Sequence, residues 1–486
     1  MTTEIIGAKV AVARGRYRRS DLPVVLLVLC LALSFVSLVI YSAFRNRPSA
    51  PVAYPLATIL LSGAVFYAAL WWRQHDVSLL SLGGIAGAMV ILYAVYPLLI
   101  LLLNDLTYTP LNDNRLFADQ ASPEKIGSIA WYYVLYFESF ATAYLATSGR
   151  SGRFRVQPDS VRKGIVPLIL VLFVVTQLVV YGINVAFDMK PTSYTDSYRV
   201  MQQLPQIPRQ ILVNATQMGP TLLLLLMCLL FLEFRRYRFL IAAIVLWNVL
   251  EALRVMQGRS GMFMLLLIVG FLYHHFVRRV RVLPIAVIGL LLVALSTWMG
   301  IVRQGSTVGA VAGAHGTSEF EAIVANAYDL KYVRAASGIL RDQPTIYFGD
   351  FISVVPQQLV PFTKRLKAEW YLSIYYPEFG ASGGGMAFGV VSEAITGWGW
   401  IELLVRGVFV GVLFGLIHRR FSSRPITLWQ LAFYLWLLVW SYQLVRNTTF
   451  GLLSWAEYYF LVPVIALRAT HYLASSARRR LRGVIA

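Results

Sequence analysis

Two carboxylates that flank a glycine run are the first candidates for chemistry in this sequence. Glu378 precedes the run 383–385, and Glu393 follows it inside an apolar stretch. Glycine lets the backbone approach another surface closely. A carboxylate in an apolar segment is costly in lipid, so we expect Glu393 to face protein or a wet cavity. Either group could accept the proton of an attacking hydroxyl. The alternatives are a buried structural role for Glu393 and a solvated loop position for Glu378.

A lone histidine in a polar stretch is a third candidate base. His315 lies in Gly313-Ala-His-Gly316, and a histidine side chain can act as a base near neutral pH. The alternative is an ordinary exposed loop histidine. No His-Glu-x-x-His, Cys-x-x-Cys or phosphate-loop pattern occurs, so we expect no metal, nucleotide or other cofactor.

Arginines in or beside apolar segments form the second set of candidates. They are Arg254, Arg259, Arg303, Arg406 and Arg446. A guanidinium grips phosphate through two parallel hydrogen bonds and stays charged, so these groups could hold a diphosphate and stabilise it as it leaves. The alternatives are snorkelling to the membrane interface and pairing with Glu251 or Glu402 one helical turn away.

These residues lie in a strongly apolar chain. Hydrophobic residues make up 58% of the 486 positions, and mean hydropathy is +0.64. A membrane helix needs about 20 apolar residues, and the sequence predicts an all-α, polytopic membrane protein with about twelve spans in one membrane domain. The predicted spans are 22–41, 52–72, 78–103, 128–147, 164–187, 211–233, 239–257, 261–277, 282–302, 388–417, 426–444 and 451–473. The tenth is long enough to contain a broken or re-entrant start.

The distribution of charge predicts how these spans are oriented. If both termini are cytoplasmic, the cytoplasmic segments hold 25 of the 43 lysines and arginines and 5 of the 23 acidic residues. The remainder of the chain is then neutral, as the positive-inside rule requires. The basic clusters are short and adjoin spans, so we expect contact with anionic lipid and no binding of nucleic acid.

One outer loop is far longer than a connection requires. Residues 303–385 are rich in aromatic side chains, and long ordered loops are usually functional. Between Thr317 and Leu340 apolar residues recur at spacings of three and four, which predicts an amphipathic helix. We expect this loop to form a folded lid over a membrane cavity, on the outer or periplasmic side.

Short motifs in the second half of the chain resemble a known family. They are Pro356-Gln-Gln-Leu-Val-Pro-Phe-Thr-Lys364, the segment Tyr376–Gly385, Gly389-Val-Val-Ser-Glu393, Gly397-Trp-Gly399 and Arg259-Ser-Gly261. Together they resemble Wzy-type O-antigen polymerases, the oligosaccharide repeat-unit polymerases, from about Arg254 to Arg446. The N-terminal third matches only as a chain with many spans. The related O-antigen ligases share this architecture, which resembles GT-C-type membrane glycosyltransferases.

The resemblance implies a membrane glycosyltransferase of the bacterial cytoplasmic membrane that uses two undecaprenyl-diphosphate-linked glycans. The growing chain would move from its carrier to an incoming repeat unit, for O-antigen, capsule or exopolysaccharide. A chain-length regulator and a repeat-unit flippase would be possible partners. The alternatives are a ligase that passes glycan to another acceptor and a flippase or transporter. A transporter would favour charges spread along a pathway and two related halves.

Overall fold

The computed structural model describes most of the chain as helix. The described residues are 22–74, 80–103, 122–149, 154–157, 165–187, 200–201, 203–255, 259–278, 318–355, 359–378, 387–469 and 472. Within these ranges the only β-structure is an isolated parallel bridge between Val156 and Ile426. The prediction of an all-α protein is therefore confirmed.

Seventeen α-helices are numbered in the described ranges, and residues 462–469 are also helical. The first eight are α1 (Leu22–Phe44), α2 (Ala50–Gln74), α3 (Leu82–Leu103), α4 (Pro123–Ser148), α5 (Ile165–Ala186), α6 (Gln206–Leu232), α7 (Phe234–Val255) and α8 (Arg259–Leu272). The others are α9 (Ser318–Tyr328), α10 (Pro344–Tyr347), α11 (Gly349–Ile352), α12 (Lys367–Tyr375), α13 (Val390–Thr396), α14 (Trp400–Ser423), α15 (Leu428–Trp440), α16 (Gln443–Arg446) and α17 (Gly451–Ala456). Three π-helical segments follow α8, α9 and α17, at Tyr273–Val277, Asp329–Val333 and Glu457–Leu461.

Six stretches in the described residues are long and apolar enough to cross a membrane. They are Ala50–Arg73, Leu82–Leu103, Pro167–Ala186, Gln206–Leu232, Trp400–Ser423 and Gly451–Ala469. Shorter apolar helices cover Cys30–Phe44, Met264–Val277 and Leu428–Trp440. The chain is thus a multi-pass, membrane-embedded helical protein. The predicted ninth span, 282–302, lies outside the described residues.

The predicted tenth span, 388–417, is divided in the structure. The short helix α13 ends at Thr396, and α14 begins at Trp400 and continues to Ser423. Gly399 between them has a φ of +66°, a left-handed backbone that favours glycine. The break brings the first turn of α14 next to the end of α13.

Three glycines of α14 make its contact with α4 close. A Cβ at Gly407, Gly411 or Gly415 would overlap atoms of α4. Small residues at this four-residue spacing allow the backbones of membrane helices to approach. Gly407 faces Ser139 and Gly415 faces Thr147, so the two helices run in the same direction. Charge counting predicts the same relative direction for spans four and ten.

The lid is the name used here for residues 318–355 and 359–378. It packs at the N-terminal ends of α4 and α14, and this side of the bundle is called the lid end. The backbone N–H groups of Gly338 and Leu340 donate to the carbonyls of Ile395 and Thr396, which joins the lid to α13. The amphipathic helix predicted for 317–340 is shorter in the structure. α9 and its π-helical extension stop at Val333.

Candidate functional site

Glu393 is fully buried in α13 and is held by charged groups from two other elements. Lys367 of the lid approaches it with Nζ 2.6 Å from Oε1. Arg406 of α14 places Nη1 2.8 Å from Oε2, as an ion pair without the alignment of a hydrogen bond. The backbone N–H of Thr449 also donates to Oε2, at 3.1 Å. Glu393 therefore joins the lid to the membrane helices.

A second carboxylate completes a buried charge cluster. Glu402 accepts hydrogen bonds from Arg406 Nε at 2.6 Å and from the backbone N–H of Trp398 at 2.8 Å. A Cβ at Gly397 would overlap Glu402 Oε2, so the glycine makes room for this carboxylate. The cluster contains Lys367, Glu393, Glu402 and Arg406, each at most 6% exposed. Its two positive and two negative charges balance, as burial away from water demands.

Aromatic rings cover the two cations of this charge cluster. Lys367 Nζ lies 4.5 Å from the ring centroid of Tyr347, and Arg406 Cζ lies 4.9 Å from that of Phe450. Such cation–π contacts are worth more when water is excluded. The rings help to hold both cations in place where the lid meets α13 and α14.

Asp350, in α11 of the lid, is a fifth charged group beside the balanced four. It is 4% exposed, and its Oδ2 has no hydrogen-bond partner among the described residues. Burial raises the pKa of Asp350 from 3.8 to about 6, and the negative charge of Glu393 adds to this. Lys367, Arg406 and the hydroxyl of Thr448 act in the opposite direction. Asp350 is thus a carboxyl that changes protonation just below neutral pH.

A separate carboxylate, that of Asp329, holds two segments of the lid together. Asp329 is 3% exposed and accepts hydrogen bonds on Oδ2 from the hydroxyls of Tyr371, at 2.6 Å, and Tyr376, at 3.0 Å. Arg334 Nε lies 3.4 Å from Oδ1. Hydrogen bonding to Tyr376 and the charge of Asp329 raise the pKa of Arg334. These contacts tie the π-helical segment 329–333 to α12.

The structure brings together two of the predicted site residues, Glu393 and Arg406. Arg406 pairs with Glu402, which was the structural alternative for this arginine. Glu378 is exposed, beyond the end of α12. Arg446 is partly buried in α16, which contacts α13. Of the remaining candidates, Arg254 lies in the last turn of α7, Arg259 begins α8, and Arg303 and His315 lie outside the described residues.

Sequence reasoning missed Asp350 and Lys367. Both lie in the lid among aromatic residues, where a charged side chain normally faces water. A count of charges could have indicated Lys367, because a buried Glu393 requires a buried cation, whereas no such signal points to Asp350. The sequence does not show which lysine of the loop supplies the cation.

The arrangement suits proton transfer. A buried carboxyl with a pKa near neutrality is a suitable general base. In the described part of the chain no group of three or more His, Cys, Asp or Glu side chains is arranged to hold a metal ion. Searches against protein-family models, curated proteins and solved structures find no match to this chain.

Proposed function

We propose that this chain is a membrane glycosyltransferase that polymerises undecaprenyl-diphosphate-linked oligosaccharide repeat units. The observation that carries the proposal is the buried charge cluster between the lid and helices α13 and α14, with the titrating carboxyl of Asp350 beside it. It supports a site in which a hydroxyl can lose its proton away from bulk water. The sequence motifs that resemble Wzy-type polymerases converge on the same region, since Glu393 and Gly397 belong to them.

The proposed architecture has about twelve spans and resembles that of GT-C-type enzymes. Both termini lie in the cytoplasm, and the lid faces the periplasm across the cytoplasmic membrane. The excess of basic residues in the other set of loops supports this orientation. The parallel packing of α4 and α14 supports the proposed order of the spans, because an even step from the fourth to the tenth makes both run in the same direction. The substrate's carrier lipid would then present its diphosphate at the lid end.

In the proposed reaction a sugar hydroxyl of the incoming repeat unit attacks the anomeric carbon of the growing chain. A new C–O bond forms while the bond from that carbon to the diphosphate oxygen breaks, and the electron pair leaves with the diphosphate. Asp350 accepts the hydroxyl proton in its ionised form. The donor's diphosphate supplies the driving force, so no nucleotide takes part.

The buried pairs around Asp350 have a positioning role in this scheme. Lys367 and Arg406 are each satisfied by carboxylates, which leaves them poorly placed to grip a phosphate. Diphosphate binding is therefore assigned to the other arginines, Arg254, Arg259, Arg303 and Arg446. Glu378 and His315 remain alternative bases, because both belong to the proposed periplasmic loop.

A reconstituted assay tests the proposal. The purified chain in liposomes, given labelled lipid-linked repeat units, should produce a ladder of products longer than one repeat. Asp350→Asn should remove the ladder, whereas Asp342→Asn, at an exposed position of the same lid, should leave it intact. Transfer of one unit to a different acceptor would instead indicate a ligase. Movement of repeats between leaflets without any new glycosidic bond would indicate a flippase and refute the proposal.

A further inference from the structure

Lys331 lies where the lid crosses the start of α4. Its Nζ is 3.2 Å from the hydroxyl oxygen of Ser128 and 3.4 Å from that of Tyr132, which is a long contact. The ring centroids of Tyr132 and Tyr332 lie 4.5 Å and 5.1 Å from the same nitrogen. Ser128 and Tyr332 are also in direct contact through their hydroxyls. The ammonium group is therefore held by hydroxyls and ring faces.

No carboxylate among the described residues pairs with Lys331. The nearest acidic residue along the chain, Asp329, is occupied by Tyr371, Tyr376 and Arg334. An ammonium group has three N–H donors, and the described residues supply only two acceptors for them. The hydroxyl hydrogen of Tyr132 likewise has no acceptor in the described part of the chain. Within the described part of the chain, one N–H of Lys331, the hydroxyl hydrogen of Tyr132 and one uncompensated positive charge are thus left for an anion.

A second cation strengthens the positive character of this place. Lys125 is exposed in the first turn of α4, and its Nζ lies 5.4 Å from the ring centroid of Tyr332. Lys331 and Lys125 therefore both lie close to one aromatic ring, that of Tyr332. Both can approach a ligand that carries more than one negative oxygen.

Exposed tryptophans place this site at the depth of lipid headgroups. Trp131 on α4 is 46% exposed, and Trp398 and Trp400 at the break before α14 are 59% and 56% exposed. Tryptophan is enriched at membrane interfaces, where its ring is apolar and its N–H meets water. A Cβ at Gly399 would lie 4.0 Å from the hydroxyl oxygen of Tyr132, so the break borders the site.

We propose that Lys331, Ser128 and Tyr132 bind a phosphate group of a membrane lipid at the lid end. A phosphate has oxygens that can accept hydrogen bonds from an ammonium group and from a hydroxyl at the same time. Its negative charge also balances the positive charge of Lys331. A carboxylate of the protein would have served if the role were only structural. The lipid is either the carrier of the glycan or an ordinary anionic phospholipid.

Binding to the full-length protein in phosphatidylcholine nanodiscs tests this site. Undecaprenyl diphosphate and phosphatidylglycerol are titrated separately, and bound lipid is measured by native mass spectrometry. Lys331→Gln should weaken binding of at least one of them about tenfold, the order expected for one charged hydrogen bond. Lys331→Arg, which keeps the charge, should bind both lipids as tightly as the parent chain. The choice of undecaprenyl diphosphate rests on the proposed function, whereas phosphatidylglycerol tests the site without it.

Matched variants separate the site from general attraction between charges. Arg47→Gln removes an exposed cation in the turn before α2, whose N-terminal end also lies beside that of α4, and should leave both affinities unchanged. Loss of undecaprenyl diphosphate binding alone identifies the carrier as the ligand, and loss of both identifies a general phosphate site. If Lys331→Gln does not fold, Tyr132→Phe should still lower affinity about threefold. Parent-like binding of both lipids by Lys331→Gln, or by Tyr132→Phe, would overturn the proposal.

Discussion

Asp350 offers a test in which stability and activity change in opposite directions. Asp350→Asn keeps the shape of the side chain but cannot ionise. Burial and the charge of Glu393 raise the pKa of Asp350 from 3.8 to about 6. A change in pKa of that size means that the ionised form costs the folded protein at most about 3 kcal/mol.

The pH dependence of this cost has a definite sign. Because its folded-state pKa lies above the unfolded value, Asp350 binds more protons in the folded protein between about pH 4 and pH 6. Its contribution to stability is therefore lost as pH rises through this window, and the full cost is present above about pH 6. Asn at this position escapes the cost.

We therefore expect Asp350→Asn to be more stable than the parent chain at pH 7.5, by up to about 3 kcal/mol, and nearly equal to it at pH 4. Thermal unfolding in detergent at both pH values measures the difference. Glycan polymerisation by the variant should be lost, and activity of the parent chain should fall as pH drops through about 6.

Asp342→Asn is the matched control, since Asp342 is exposed in the same lid and should show neither effect. A variant Asp350→Asn that is destabilised equally at both pH values would refute the reasoning, because it would make Asp350 a structural anchor. Full-length glycan from the same variant would refute its role as the base.

Further predictions concern the packing and the buried charges. Gly411→Val should lower the yield of folded protein, because the valine side chain would meet the backbone of α4. Gly270→Val should be tolerated, because no atom lies within 4 Å of a Cβ at that position. Size-exclusion profiles of the two variants measure the difference. Arg406→Met should destabilise by about 3–5 kcal/mol in thermal unfolding, because it leaves two buried carboxylates with too few partners; parent-like stability would contradict the importance of the charge cluster. Tyr371→Phe should speed proteolysis of the lid, because it removes the 2.6 Å hydrogen bond to Asp329. Tyr375→Phe should leave the rate unchanged, because Tyr375 contacts Tyr371 through its ring. Equal rates of proteolysis in the two variants would argue against Asp329 as the organiser of the lid.

Much of the fold could be predicted from the sequence, because length and hydropathy alone define membrane helices. The helices of the first half begin and end within about six residues of the predicted spans. The break at Gly397 to Gly399 could be suspected from the length of the tenth span. The position of the break could not be predicted, because it depends on how Glu402 fits against Gly397 in three dimensions.

The site was predictable only in part. Glu393 stood out because a carboxylate in an apolar segment has few explanations. Lys367 and Asp350 did not stand out in the sequence, because their burial depends on how the lid folds over α13 and α14. A carboxyl's pKa is set by what surrounds it in space, and hydropathy along the chain carries no such information.

The π-helical segment Asp329–Val333 has an evolutionary consequence. A π-helical turn contains one residue more than the α-helical turn from which it can arise by insertion. Deleting one residue there would restore an α-helix and rotate all that follows by about 100°. Arg334 would then leave Asp329, and the lid would lose its register on α13. Related chains should therefore keep the length of this turn unchanged.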